Sequence, residues 1–274
     1  MNIETILSPS ELPALARREG RGTACVVFDI LRATSTFVTA LHHGAKKIIP
    51  VSEIAEAVAL KKKAANILLA GERDGVRIRA AQAGGTDFDF GNSPHEFTPE
   101  RVRGQIIVST TTNGTRALRA GAGAAAVLAA AFLNLAATAK FLRAKNFSTV
   151  LLVCAGTGAG VALEDVLAAG ALVEMLRSAG LRPGELVAAE NTPGRRPALH
   201  GDEARGCSLD DASFIALKTF TEMKSDLAAA IGSSQNGRRL LAMPELRDDV
   251  AFCAQLDVFD LVAVMDKDGA IRAR

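Results

Sequence analysis

An α/β protein, with a mainly parallel or mixed sheet and helices flanking it, is what this sequence predicts. Three observations carry the prediction. Short apolar runs rich in Val, Ile and Leu alternate with stretches of helical spacing, the pattern of strands buried on both faces between helices. Four of these runs end in clusters of Gly, Asp, Thr or Arg, where a parallel sheet leads into its helices. A chain of 274 residues, 49% hydrophobic and 23% charged, can bury a sizeable core and is too apolar for disorder. That length suits one α/β unit over residues 1–274 or two lobes, whose boundary would fall near 145.

The elements follow in order. Ala24–Phe28 (ACVVF) is continuously apolar and reads as a buried strand. A helix from about Thr34 to His43 ends at Gly44, a natural residue just past a helix C-terminus, and His42 and His43 read as capping or surface residues. Ile48–Val51 is the next strand. The helix after it runs from about Ser52 to Ala65, with Ser52 as N-cap and Glu53 and Glu56 where the helix dipole favours anions. Further strands are expected at Ile67–Ala70, Gln105–Ser109, Ala124–Ala129, Val150–Cys154 and near Val262–Met265. A long helix should begin near Ala162, with Leu163, Val166, Leu167, Gly170, Val173 and Leu176 on its apolar face. The Pro-, Gly- and Arg-rich stretch from Arg182 to Cys207 reads as a loop or lid.

Composition narrows the function. Thirty-two Lys and Arg against 30 Asp and Glu leave a formal charge of +2, too little excess for a general nucleic-acid binder. Trp and Tyr are absent, which removes the usual platforms for stacking single strands. Cys25, Cys154, Cys207 and Cys253 are far apart and form no CxxC pair, so reduced thiols in a cytoplasmic protein are expected, with no zinc site. His95 and His200 have no second histidine at ligand spacing. The N-terminus carries no signal-peptide pattern. The uncharged stretch between Arg119 and Lys140 approaches the length of a membrane span, but Asn134 divides it into a strand-like and a helix-like half, and no membrane association is expected.

Ligands of parallel α/β sheets collect beyond the carboxyl ends of the strands. At the first such end, Asp29 is followed by Arg32, Thr34, Ser35 and Thr36. Asp29 could supply one of the one or two carboxylates that Mg²⁺ takes, and Arg32 could grip a phosphate or sulfonate with its planar fork. A helix cap and a surface arginine would use the same residues. A haloacid-dehalogenase phosphatase would need a second Asp two positions on, where Leu31 stands. At the second end, Gly71-Glu72-Arg73-Asp74-Gly75 offers a carboxylate and a guanidinium, or an exposed charged turn. The third combines Asn92 and Ser93 with the run Thr110-Thr111-Thr112-Asn113-Gly114-Thr115, an anion cradle by electrostatics or an N-capping cluster. It is not a Walker loop. At the fourth, Gly156-Thr157-Gly158-Ala159-Gly160 precedes Glu164 and Asp165. Its glycine spacing fails the dinucleotide fingerprint, because Val161 or Leu163 occupies the third glycine position.

Taken together, VVFDILRATSTFVTALHHGAKKIIPV, LAGERDG, DFGNSPHEF, STTTNGTRAL, VCAGTGAG with LEDVLAAGALV and, more loosely, DDVAFCAQLD resemble the 2-phosphosulfolactate phosphatase (ComB) family. They run in order from about Val26 to Asp257. The resemblance implies an α/β fold of the family's own and a Mg²⁺-dependent hydrolase. That enzyme removes phosphate from 2-phospho-3-sulfolactate to give 3-sulfolactate, a step towards coenzyme M. It places Asp29, Arg32, Glu72, Arg73, Asn92, Ser93, Thr112, Asn113, Gly114, Thr115, Glu164 and Asp165 on family motif positions.

Chemistry suggests how these roles divide. Asp29 with Glu164 or Asp165 would hold Mg²⁺, and Arg32 and Arg73 would bind the substrate's anions. Glu72 would act as general base or as a carboxylate behind the metal's own ligands. Thr34, Asn92, Ser93, Gly156 and the turn Thr112–Thr115 would contact substrate. The partner expected is a small molecule carrying phosphate and sulfonate, and a homodimer is the default assembly. A non-catalytic binder of such metabolites is the alternative. Two stretches depart from the family pattern, RIRAAQAGGTDF (77–88) and residues 194–206, and both bear on which substrate fits.

Overall fold

Val26, Val27 and Phe28, from the first apolar run, are wholly buried near the middle of one large sheet. The computed structural model describes residues 1–17, 20–64, 66–178 and 207–274. In chain order its strands are β1 (Asn2–Ile6), β2 (Gly20–Phe28), β3 (Lys47–Pro50), β4 (Ile67–Arg73), β5 (Val76–Arg77) and β6 (Ile106–Thr110). They continue with β7 (Ala124–Ala130), β8 (Thr149–Cys154), β9 (Ser208–Leu209), β10 (Ala263–Met265) and β11 (Ile271–Ala273). The helices are α1 (Leu12–Leu15), α2 (Ala33–His42), α3 (Ile54–Lys63), α4 (Pro99–Val102), α5 (Gly114–Ala120) and α6 (Leu135–Lys145). Beyond them lie α7 (Leu163–Ser178), α8 (Asp211–Met223), α9 (Leu227–Gly232), α10 (Gln235–Leu241) and α11 (Asp248–Cys253).

The order across the sheet is β5-β4-β6-β3-β11-β10-β7-β2-β8-β1-β9. Two parallel blocks, β4-β6-β3 and β7-β2-β8-β1-β9, flank the C-terminal hairpin β10-β11, which joins them by antiparallel pairings on both sides. The architecture is therefore the mixed α/β class expected. Three antiparallel steps would send the carboxyl ends of the two blocks to opposite edges of a flat sheet. Strands twist and coil, however, and α2 and α5 each pack against strands of both blocks. The carboxyl end of β2 consequently meets that of β6, with Asp29 lying against Gly114.

All the anticipated strands form, most of them within a residue of their expected bounds; β2 starts four residues before Ala24 and β4 runs three residues past Ala70. One detail differs. Ser52 does not cap α3: Glu53 holds the N-cap position, and the Ser52 N–H donates to Glu56 Oε2 at 3.2 Å. As expected, His42 is exposed and His43 holds the C-cap position of α2; His42 also stacks on Phe259 with ring centroids 4.0 Å apart, and His43 Nδ1 lies 2.6 Å from the Phe97 carbonyl. Apart from Cys207, the expected loop over 182–207 lies outside the described residues.

The sequence reading did not anticipate β1, β5, β9, β11 or the run of helices from Asp211 to Cys253. That run has local signals. Asp210, Asp226 and Ser234 each accept a main-chain N–H in the first turn of the helix that follows. On α8 the buried Ala216, Leu217 and Phe220 have helical spacing and pack on α7. There the helices approach so closely that a Cβ on Gly170 would lie 2.1 Å from the Ala216 carbonyl oxygen. No helix among the described residues is long and apolar enough to cross a membrane, and the uncharged stretch splits into β7, a turn and α6.

Candidate active site

Asp29 follows directly on β2, and its backbone and side chain both serve the first turn of α2. Ala33 N–H donates to Asp29 Oδ1 at 3.1 Å, and Thr34 N–H donates to the Asp29 carbonyl at 3.0 Å. Thr34 Oγ1 also bonds Asp29 at both main-chain groups, which places that hydroxyl in the support of the turn. One carboxylate oxygen, Oδ2, remains over α5, where a Cβ on Gly114 would sit only 2.6 Å from it. Only glycine permits that approach. Burial raises the proton affinity of Asp29 to a pKa of about 6; repulsion from Glu72 and Glu164 adds to the shift, and N–H groups of Ala33 and Gly114 oppose it.

Asp29, Arg32, Glu72, Asn92, Thr112, Asn113 and Gly156 line one cleft of about 250 Å³. Glu72, from the end of β4, accepts Thr112 N–H and Thr112 Oγ1–H, both at 2.9 Å, through Oε1, and Gly75 N–H at 2.7 Å through Oε2. It thereby stitches the end of β4 to the turn after β6. Thr112 spends its hydroxyl on that bond. Asn113 does not cap α5; its Nδ2 donates to the Gly156 carbonyl at 2.8 Å and ties that turn to the loop after β8. Thr115 is buried and bonded to Thr111, whose Oγ1 accepts the Thr115 N–H at 3.2 Å. The Thr run is therefore chiefly wall and cap, with Thr112 and Asn113 facing the cleft.

Arg73 does not line the cleft. Neighbours on a strand point to opposite faces, so with Glu72 turned inward Arg73 turns away, donating to the Glu72 carbonyl at 2.7 Å and to Thr110 Oγ1 at 3.1 Å. Arg32 does line it and is buried. Its Nη1 donates to Asp249 Oδ2 at 2.7 Å and its Nη2 to the Gly75 carbonyl at 2.8 Å. Ser93 lies on the far side of that pair, donating to Asp249 Oδ1 at 2.6 Å.

The adjacent acids of α7 differ sharply in their surroundings. Asp165 accepts Ile30 N–H at 2.8 Å through Oδ1 and Gly156 N–H at 3.0 Å through Oδ2, so it clamps the carboxyl ends of β2 and β8. Burial, with Glu164 and Asp29 nearby, holds its pKa well above the usual carboxylate range. Glu164 accepts Asn236 Nδ2 at 2.7 Å through Oε1, while its buried Oε2 has no hydrogen-bond partner. An unpartnered buried carboxylate oxygen is costly and calls for a cation or a donor. Cys154 and the other cysteines are buried free thiols, and none lines the cleft.

Residues from the C-terminal helices complete the site. Asn236 and Arg239, one turn apart on α10, both line the cleft, and Arg239 donates to the Asp74 carbonyl. Asp249 on α11 holds Arg32. The sequence reading missed all three as site residues, although Asp249 stands in the loosely matching DDVAFCAQLD motif.

A family model described as 2-phosphosulpholactate phosphatase matches residues 8–268. Curated relatives match along nearly their whole length. A probable 2-phosphosulfolactate phosphatase of Caldanaerobacter subterraneus subsp. tengcongensis is 37% identical over 251 residues, covering 90% of this chain and 89% of the relative. One of Caldicellulosiruptor saccharolyticus, carrying the same description, is 42% identical over 241 residues, 86% of each chain. A third, of Thermotoga petrophila, is 36% identical over 240 residues and 88% of each chain.

Proposed function

The chain belongs to the 2-phosphosulpholactate phosphatase family, and from that premise we propose that it hydrolyses the phosphate monoester of 2-phospho-3-sulfolactate, or of a closely related phosphorylated hydroxy acid, with the help of Mg²⁺. The observation that carries the metal reading is the charge of the cleft. Among the described residues, Asp29 and Glu72 line it and Glu164 lies within electrostatic reach, whereas Arg32 is already matched by Asp249 and Arg239 is the other guanidinium. A cleft so charged repels a phosphorylated, sulfonated carboxylate.

A divalent cation reverses that repulsion. Asp29 Oδ2 and the orphaned Glu164 Oε2 fit Mg²⁺, which prefers hard oxygens and needs only one or two carboxylates beside water and substrate phosphate. No three His, Cys, Asp or Glu side chains among the described residues form a metal cage, so water and substrate would have to fill the ion's other positions. Asp165, with both oxygens committed to main-chain amides, serves as the clamp beneath. Bound there, Mg²⁺ would supply Lewis-acid stabilisation of the charge on the transferring phosphoryl group.

The protein's own groups do the rest. Phosphate monoesters resist hydrolysis so strongly that their enzymes supply accelerations of up to about 10²¹-fold, and positioning plus electrostatics must account for it. Arg32, fixed by Asp249 and Gly75, keeps N–H donors for the substrate's oxygens, and Arg239 lies beside it on the Asp74–Gly75 turn. Glu72 has three of its roughly four acceptor sites filled. The remaining one orients the attacking water and takes its proton as the new P–O bond forms and the ester P–O bond breaks. The departing alkoxide of the hydroxy acid is then protonated from solvent.

A non-catalytic binder is not favoured, because the matched family and relatives are described as phosphatases. The test is inorganic phosphate released from 2-phospho-3-sulfolactate, phospholactate and phosphoglycerates, each with and without Mg²⁺. The reading requires release that is metal-dependent and fastest with the sulfonated ester, and absence of release from every ester would refute it.

A further inference from the structure

Arg77 and Arg79 belong to the stretch that departs from the family pattern, and they line a second cavity, of about 480 Å³, beside the catalytic cleft. Arg32, Gly75 and Asn92 border both cavities and form the wall between them. The stretch is anchored from behind. Ile78, Ala83 and Phe88 are buried in a small hydrophobic cluster with Leu69 and Val108, which leaves the arginines on either side of Ile78 facing the opposite way.

This cavity has a surplus of positive charge. Arg101 donates to the carbonyls of Glu96, at 3.0 Å, and Asp89, at 3.1 Å, and its guanidinium lies 4.1 Å from the centre of the Phe90 ring. Arg77 donates to the Asp89 carbonyl at 3.2 Å and shares Glu96 at 3.5 Å. Glu96 is further committed, since both its oxygens accept the Gly91 N–H at 3.0 Å. Arg79 is exposed and has no carboxylate partner among the described residues. Guanidinium groups fixed by main-chain carbonyls keep their charge and spare donors and lose little freedom when a ligand arrives. Met243 and Leu246 give the same cavity an apolar side, and the exposed Glu245 is the other acid among its described lining residues.

We infer that the second cavity binds a small organic anion, a phosphate, sulfonate or carboxylate head on a short apolar stem, separately from the molecule being hydrolysed. Its effect on turnover, though not its existence, rests on the function proposed above. The link runs through the shared wall. Asp249 holds Arg32 with Oδ2, while its Oδ1 accepts the Ser93 hydroxyl at 2.6 Å and lies 4.0 Å from His95 Nε2. Ser93 and His95 both line the second cavity. An anion seated there draws on Arg32 and His95 from the side away from the catalytic cleft, so its binding weakens the hold of Arg32 on the charge of the transition state and lowers kcat.

Calorimetric titration of inorganic phosphate into the full chain with Mg²⁺ present tests the site without any assumption about substrate. The wild type is expected to bind two phosphates per chain, and Arg79→Glu, whose exposed side chain supports no described contact, to bind one. A single wild-type site abolished by Arg79→Glu would uphold the second cavity while counting against the proposed phosphatase cleft. Two sites indifferent to Arg79→Glu, a single site it leaves intact, or no binding at all would overturn the inference. In phosphate-release assays, Arg79→Glu should weaken the noncompetitive part of inhibition by phosphate roughly tenfold or more with kcat/KM unchanged. Inhibition identical to wild type would speak against the coupling through Arg32.

Discussion

Arg32 Nη1 lies 2.7 Å from Asp249 Oδ2, a contact between side chains 3% and 1% exposed and 217 positions apart in sequence. It fixes the one buried guanidinium that the described residues bring to the cleft, from a helix near the C-terminus. Removing one partner of a buried pair leaves the other charge uncompensated, at a cost of about 3–5 kcal/mol. Asp249→Ala should therefore lose stability on that scale in urea denaturation. A loss below about 1 kcal/mol, typical of an exposed pair, would mean that the contact does not hold Arg32 in place.

Gly114 is where α5 meets Asp29. In Gly114→Ala the new Cβ would lie 2.6 Å from Asp29 Oδ2 and 2.7 Å from the Ala33 Cβ. Overpacking of this kind costs about 1–3 kcal/mol, but a displacement approaching 1 Å at a reacting group can cost about 10²-fold in rate. The variant should remain folded, by its melting transition, and lose far more activity than stability. Near-full turnover would remove Asp29 from the reaction.

Asp29 also sets a pH signature. Its folded pKa of about 6, against 3.8 ordinarily, means that the folded protein holds this proton more tightly than the unfolded chain. The stability it contributes is complete below about pH 4 and is lost as pH rises to about 6. The ceiling is about 3 kcal/mol at 1.36 kcal/mol per unit, reduced by screening because the side chain is partly exposed. In Asp29→Asn the group cannot ionise. Melting temperatures in EDTA between pH 4 and 8 should fall for wild type relative to the variant across that window, and parallel curves would contradict the assignment.

The thiols behave likewise at the alkaline end. Burial pushes Cys25 and Cys253 up to about 12, and burial with Asp165 and Glu164 nearby raises Cys154 well above its ordinary value. The folded state holds these protons through the region where the unfolded chain has lost them, so stability declines from about pH 9 towards 12. All three should resist iodoacetamide at pH 8 and react once guanidinium unfolds the chain. Mass spectrometry showing rapid native labelling of any of them would be inconsistent with this packing.

Much of this molecule was legible in the sequence because its strands announce themselves. Ala24–Phe28 and Val150–Cys154 are uninterrupted apolar runs, and their carboxyl ends carry Asp29 and Gly156, both of which line the cleft. The converse failures have physical causes too. Arg73 and Glu72 are neighbours on a strand, so only one could enter the cleft, an alternation the motif alone obscures. Asn236, Arg239 and Asp249 act through contacts with residues 72, 165 and 217 positions away, and no local pattern records such distances. The short strands β5, β9 and β11 owe their pairing to the partner strand more than to their own residues.

The central claim is that Asp29 and Glu164 together hold Mg²⁺ in the cleft. It is tested most directly by phosphate release from 2-phospho-3-sulfolactate as a function of Mg²⁺ concentration, for wild type and Glu164→Gln. Wild-type release should stop in EDTA and return with Mg²⁺. The variant, which keeps an oxygen for Asn236 but lacks the charged Oε2, should need at least about tenfold more Mg²⁺ for half-maximal rate. Equal Mg²⁺ curves for the two proteins, or release undiminished by EDTA, would contradict it.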